Sequence, residues 1–237
     1  VKIEPFAFQK NEETAIYWLG SAGVLINSHG TTILIDPVLD QIELNGQFYS
    51  EIEGLKMFQP VPLHAGDIPK VDAILYTHAD TDHIGLETFK ILGETNATIH
   101  CPHFVKRHFM EHGLEGNQIV AHEKLATFYI NDIKVDMTLA DHPWHKSKPH
   151  LYDFYYKEDD CTGFKLTTRD GVMWNPGDTL LLDEHLREGP IDLLFIDFSD
   201  DPFHFGLDGA RQLANLNSNA VLIPIHWGTY DSEKPCF

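Results

Sequence analysis

The chain has 237 residues, 43% of them apolar, which is enough for one large domain or two small ones with a sizeable core. Its formal charge of −19, from 17 basic and 36 acidic residues without a Lys/Arg stripe, argues against a nucleic-acid partner. No apolar stretch approaches the roughly 20 residues that span a bilayer, so no membrane partner is expected.

The opening segment Val1-Lys2-Ile3-Glu4-Pro5 has no apolar core of the signal-peptide kind, and it begins without Met, as a processed or trimmed segment would. Two apolar runs follow, Ala15 to Ile26 and Thr31 to Ile35, joined by the turn residues Asn27-Ser28-His29-Gly30 and read as a β-hairpin. The polar stretch from about Leu39 to Pro69 reads as an insertion, either surface padding or a lid. Its Phe48, Tyr49, Met57 and Phe58 would cover a site or pack on a second subunit of a homo-oligomer.

A strand at 71–77, a helix over Leu86 to Leu92, a strand at Ala97 to His100 and a helix from about Pro102 to His112 come next. Further strands are expected at Ile119-Val120, Ala126 to Ile130 and Ile133 to Leu139, with Asn131-Asp132 as a hairpin turn. Thr162 to Thr168 and Gly171 to Asn175 form another hairpin, followed by a helix at 181–187 and a strand at Asp192 to Asp197. A helix over Leu207 to Leu216 and a strand over Ala220 to Ile225 close the series. With neither repeat nor linker, the pattern reads as one α/β domain of two sheets with outer helices.

Chemistry concentrates at Thr77-His78-Ala79-Asp80-Thr81-Asp82-His83, two imidazoles and two carboxylates at the end of an apolar strand. Such groups are the usual ligands of zinc, manganese and iron. Three more apolar strands end alike: Val135 to Ala140 on Asp141-His142, Gly171 to Pro176 on Gly177-Asp178-Thr179, and Val221 to Ile225 on His226-Trp227-Gly228. Four such strand ends argue for convergence on one metal centre. Cys101, Cys161 and Cys236 lie far apart, which fits a reducing, cytoplasmic setting, although the nearness of Cys101 to His100 and His103 leaves a ligand role open. His29, His112 and His122 fall in no pattern.

These motifs, from Trp18-Leu19-Gly20 to His226-Trp227-Gly228-Thr229, resemble the metallo-β-lactamase superfamily over nearly the whole chain. Ile35-Asp36-Pro37, Gly177-Asp178-Thr179 and Ile223-Pro224-Ile225-His226 are most similar to its ascorbate-6-phosphate lactonase-like branch. The resemblance implies a four-layer αββα sandwich over residues 1–237 and a site for two divalent cations. One cation would be held by His78, Asp80 and His142 and the other by Asp82, His83 and His226, with Asp178 bridging and Asp36 bracing the ligand loops. Asp80 departs from the family pattern, which has His there. A carboxylate at that position would turn the first site toward Mn²⁺ or Fe²⁺ over Zn²⁺, or else weaken it to leave a mononuclear centre.

Hydrolysis of a small-molecule ester by metal-bound hydroxide is the expected reaction, with Asp82 orienting the water and a lactone as first substrate. The chain has no Gly-x-Ser-x-Gly nucleophile elbow. His204 is a candidate for binding substrate or protonating the leaving group, and His145 for replacing His142 or touching substrate. Trp144 and Trp227 read as packing walls, and Lys146 and Lys148 as solvated cations. Two alternatives stand beside this reading: a phosphodiesterase for small cyclic or lipid phosphodiesters, and a non-catalytic metal-binding protein.

Overall fold

The computed structural model describes residues 2–39, 43–44, 47–48, 58, 60–93, 95–113, 118–144 and 160–229. Two mixed six-stranded sheets face each other. The first contains β1 (Thr14–Gly20), β2 (Gly23–Ser28), β3 (Thr31–Ile35), β6 (Ala73–Leu75), β7 (Thr98–Pro102) and β8 (Ile119–His122), side by side in that order. The second runs β14 (Val221–Ile225), β13 (Leu193–Asp197), β12 (Val172–Asn175), β11 (Thr162–Thr167), β10 (Ile133–Leu139) and β9 (Thr127–Ile130). The short pair β4 (Glu43–Leu44) and β5 (Gln47–Phe48) stands apart.

Strand alternation builds the layers, because successive side chains point to opposite faces. Val24, Ile26, Ile33, Ile35, Ala73 and Leu75 meet Val135, Met137, Phe164, Leu166 and Phe195 in a core between the sheets. The intervening Leu25, Leu34 and Ile74 turn outward onto a second core with Phe89 of helix α1 (Leu86–Leu92) and Phe104, Val105 and Phe109 of α2 (His103–Glu111). On the far side, Trp174, Leu194 and Ile196 pack against Ala210 and Leu213 of α3 (Gly206–Leu216). The result is the αββα sandwich expected from the sequence.

Two local expectations are corrected. The run Ala15 to Ile26 is two strands, because Gly20 (φ +107°) and Ser21 (φ +46°) turn the chain back, and Trp18 pairs with Val24. The expected helix at 181–187 is only a 3₁₀ turn at His185–Arg187. The buried His185 ring pins that segment, accepting from the Leu182 N–H at Nδ1 (3.2 Å) and donating from Nε2 to the Leu139 carbonyl (2.8 Å). The lid and oligomer readings of the 39–69 stretch fall largely outside the described residues, as do Tyr49, Met57, His145, Lys146, Lys148 and Cys236. Phe58 is described: it is exposed, and its N–H donates to the Thr229 carbonyl at 2.9 Å. Among the described residues no helix is long and apolar enough to cross a membrane.

Candidate metal centre

Strand direction explains why the donors meet. β3 and β6 are parallel, as are β12, β13 and β14, and β10 runs with β12 because each is antiparallel to β11. Their C-terminal ends carry Asp36, the 77–83 loop, His142, Asp178, Asp197 and His226 to one edge of the sandwich, where the carboxyl ends of strands place ligand sites in open α/β sheets. The loops must come close there. A Cβ on Gly177 (φ +68°) would lie 2.7 Å from the Thr162 carbonyl oxygen and 3.2 Å from the Thr77 Cβ, so glycine is what lets the Asp178 loop sit against Thr77.

Five imidazoles form a closed ring. Neighbouring centroids are 4.1 Å apart for His78–His83, 5.4 Å for His83–His226, 5.2 Å for His226–His204, 5.0 Å for His204–His142 and 5.1 Å for His142–His78. The Asp178 carboxylate lies among them, its Oδ2 3.1 Å from Nε2 of His83, 3.1 Å from His204, 3.4 Å from His226 and 3.9 Å from His78. Asp80 Oδ2 lies between His78 Nε2 (3.5 Å) and His142 Nε2 (3.2 Å). Asp82 Oδ2 is 3.1 Å from His226 Nε2 and groups with His83. The side chains of Asp80 and Asp82 are each 14% exposed against 5% for Asp178, so the pair marks the open side of the ring.

The outward Nδ1 atoms are all engaged. Those of His83 and His204 donate to carboxylates, Asp36 at 2.9 Å and Asp201 at 2.8 Å. That of His142 donates to the Phe203 carbonyl at 3.3 Å. His78 Nδ1 donates to the Thr77 hydroxyl (2.9 Å), whose own proton goes to Asp36 (2.6 Å). His226 Nδ1 bonds the Ser199 hydroxyl at 3.0 Å. Except at His226, whose hydroxyl partner can give or take a proton, such partners fix the tautomer with the Nε2 lone pair inward, as outer groups do for metal-ligating histidines.

Asp36 thereby ties the 77–83 loop at three points, since it also accepts the Thr77 N–H at 2.8 Å. Thr77, Ser199 and Asp201 escaped the sequence reading because a residue's bond to the outer nitrogen of a ligand leaves no spacing signature. Asp197 escaped it too, although it ends an apolar strand as the other candidates do.

With Nδ1–H fixed, neutral imidazoles would set lone pairs against carboxylate lone pairs at about 3 Å, acceptors facing acceptors. A cation between them, a metal ion or a proton, would relieve that opposition. Burial opposes charge on His83 and His204, but Asp178 first, with Asp36 beside His83 and Asp197 beside His204, holds both imidazoles well above their ordinary range. His226 is likewise disfavoured by burial, yet Asp178 and Asp82 raise it to about 8. Burial pushes Asp80 up, but its bonds to His142 and His78 outweigh that and hold it well below the usual carboxylate range. Asp82 and Asp178 are lowered against burial in the same way, by His226 and His83 for Asp82 and by His226, His83 and His204 for Asp178. A buried set of imidazole and carboxylate donors with outward nitrogens tied fits divalent cations.

The seven residues expected to ligate, His78, Asp80, Asp82, His83, His142, Asp178 and His226, are thus all at this ring, and Asp36 lies directly behind it. His204 is in the ring itself, buried, with Nε2 3.1 Å from Asp178 Oδ2. Trp144 packs edge-on against Phe203 (5.2 Å), whereas Trp227 is exposed. Cys101 is buried in the core under α2, its thiol pushed up to about 12 by burial, and it belongs to none of the donor groups found among the described residues.

Comparison with known proteins agrees with this geometry. The family described as "Beta-lactamase superfamily domain" matches residues 31–227. The N-acyl-phosphatidylethanolamine-hydrolyzing phospholipase D 1 of Caenorhabditis elegans is 24% identical over 231 residues, 90% of this chain but only 63% of that protein. A metal-dependent hydrolase of Caldivirga maquilingensis is 28% identical over 220 residues, 90% of this chain and 82% of that one. Among solved structures, an isothiocyanate hydrolase from Delia radicum gut bacteria superimposes with a TM-score of 0.72 at 18% identity, covering 94% of this chain and 87% of its own. CmlA, a diiron β-hydroxylase from Streptomyces venezuelae, gives 0.66 at 17%, covering 96% of this chain and 47% of its own. At such identities the superpositions speak for the fold alone.

Proposed function

The chain belongs to the β-lactamase superfamily as one of its metal-dependent hydrolases, and we propose that it cleaves a small-molecule ester with water at a two-cation centre. One cation would be held by His78, Asp80 and His142, the other by Asp82, His83 and His226, with Asp178 between them. The observation that carries this reading is the closed imidazole ring, every Nδ1 engaged outside and every Nε2 turned inward. When bound, the cations supply an acidic water and polarise a carbonyl or phosphoryl oxygen.

The protein's own part is positional. Asp82, on the open side and 3.1 Å from His226 Nε2, would orient the attacking water and accept its proton at the carboxylate. Asp178, deeper and touched by four imidazoles, keeps the two halves of the ring at a fixed separation. Asp36, through Thr77 and His83, prevents the 77–83 loop from relaxing when substrate binds. Asp80 supplies a hard donor that favours Mn²⁺ or Fe²⁺ over Zn²⁺.

A lactone is the first ester to test, on the sequence resemblance alone. A lipid-like phosphodiester is the second reading, and a specific feature favours it. Trp18, Phe58 and Trp227 are exposed aromatic side chains beside the His226 loop. Trp18 Nε1 donates to the Ser21 carbonyl, which also accepts the His226 N–H, and Phe58 is tied to Thr229, whose hydroxyl accepts the Ser21 N–H. An apolar substrate tail would lie on such a rim. The name of the nematode relative points the same way.

Metal content of protein purified without chelator, beside Asp80→His, tests the centre, and turnover of lactones and phosphodiesters with Mn²⁺ tests the reaction. We expect close to two Mn or Fe per chain, a shift toward Zn in the variant, and hydrolysis of one ester class. Tight metal binding with no turnover on either class would overturn the hydrolase and leave a metal-binding protein.

A further inference from the structure

Asp197 ends β13 and is buried, with 2% of its surface exposed. Its Oδ1 accepts the Ser199 N–H at 2.7 Å, which fixes the carboxylate. Its Oδ2 is fully buried and has no hydrogen-bond partner among the described residues. That oxygen faces His204 Nε2 at 3.7 Å, and donor atoms of Asp197, His204 and His226 all lie within 4.8 Å of one another.

The placement repeats a pattern. Asp80 occupies the gap between His78 and His142, and Asp82 groups with His83 and His226. Asp197 occupies the next gap, between His226 and His204. His204 also carries the outer bond of a ligand histidine, Nδ1 to Asp201 as His83 has Nδ1 to Asp36. Ser199 joins the two sides, its N–H on Asp197 and its hydroxyl on His226.

Resting on the two-cation reading, we propose that Asp197 and His204 are cation ligands beyond the seven-residue set. They add donors at the His226 side of the ring, where Asp197, His204 and His226 group together, while His204 also groups with His142 and Asp178. A buried carboxylate oxygen without a donor is costly unless a cation answers it. An added carboxylate donor suits six-coordinate Mn²⁺ or Fe²⁺ better than tetrahedral Zn²⁺. On this assignment His204 does not act on the leaving group, because its Nε2 is engaged.

Titration calorimetry of Mn²⁺ into the metal-free 237-residue chain tests the assignment, with melting of the metal-free proteins measured alongside. Asp197→Asn keeps the shape and the Ser199 contact. It should weaken one of the two bound Mn²⁺ on the order of tenfold or more, as loss of supporting groups at metal sites does, while the other is unchanged. The metal-free variant should still unfold cooperatively, which shows that the fold is kept, and its midpoint falls somewhat because Asp197 also faces His204 when no metal is bound. His204→Gln should also weaken Mn²⁺ binding, since its ring groups with donors on both sides. Unchanged affinity for both Mn²⁺ ions in Asp197→Asn would overturn the proposal and leave Asp197 only the counter-ion of a protonated His204. Wild-type protein that binds no Mn²⁺ at all would overturn the underlying two-cation reading instead.

Discussion

Removal of divalent ions should make the stability of this protein fall as pH rises through neutrality. In the metal-free ring a proton on His226 Nε2 is held by Asp178 and Asp82, which raise its pKa from 6.5 to about 8 against the effect of burial. A folded-state pKa above the unfolded value means that the native protein binds the proton more tightly. The stabilisation is therefore complete below pH 6.5 and lost as pH climbs through about 8. The size of that rise corresponds to about 2 kcal/mol. His83 and His204 are raised in the same direction. Asp80, Asp82 and Asp178 are lowered from 3.8, so their contribution is present above that pH and lost on acidification below it. The metal-free protein should thus be most stable between these limits. In a domain of this size each kcal/mol moves the midpoint by roughly 2–4 °C, so His226 alone accounts for about 4–8 °C between pH 6 and 9. Differential scanning calorimetry in EDTA at constant ionic strength reads this directly. Saturating Mn²⁺ should abolish or reverse the slope, because cations bind deprotonated imidazoles and binding releases protons. A metal-free midpoint that is flat or rising from pH 6.5 to 8.5 would refute the picture of protons standing in for cations.

Two substitutions test how the ring is built. Asp36→Asn replaces an acceptor of three hydrogen bonds with an amide that serves at most part of them. It should cost about 3 kcal/mol, measured as a lower denaturant midpoint with Mn²⁺ present. Gly163→Ala would put a methyl 2.5 Å from the Thr138 hydroxyl and 2.6 Å from the Pro176 carbonyl oxygen. It should cost about 1–3 kcal/mol in overpacking and also weaken Mn²⁺ binding, because the 176–178 turn must move. A loss of stability with metal affinity intact would show that the turn does not set the position of Asp178.

The sandwich and most of the ring were legible because both rest on simple patterns, apolar alternation and apolar strands that end on His or Asp. The miss at Ala15 to Ile26 has a physical cause. Ser21 and Ala22 are buried at a turn that is itself packed inside, so hydrophobicity carries no break there. The false helix at 181–187 arose because Leu181, Leu182 and Leu186 have helical spacing, while the side chain of His185 bonds the backbone and fixes a 3₁₀ turn instead. Asp197 was overlooked for a different reason. It ends an apolar strand as Asp178 and His226 nearly do, so the same strand-end rule applies to it, while the seven ligands implied by the resemblance do not include it. His204, on a loop after that strand, had no strand-end signal at all, and only the fold brings its ring between His142 and His226.

The ring also bears on how the chain folds. Asp36, Asp80, Asp82, Asp178, Asp197 and Asp201 gather around five imidazoles, all at most partly exposed. In the unfolded chain each carboxylate is hydrated, and collecting them carries both a desolvation penalty and mutual repulsion. On the two-cation reading, the cations would offset that charge only once the strand ends have met, because the proposed ligands come from residues 78 to 226 and no short segment holds a complete set. Binding therefore stabilises the native state and not its fragments, in proportion to the logarithm of cation concentration over Kd. The sandwich cores, which lie away from the ring, suffice to bring the strands together. The cations then set the stability of the edge where the chemistry happens, so chelation should loosen the loops at 77–83, 176–179 and 197–205 before it unfolds the sheets.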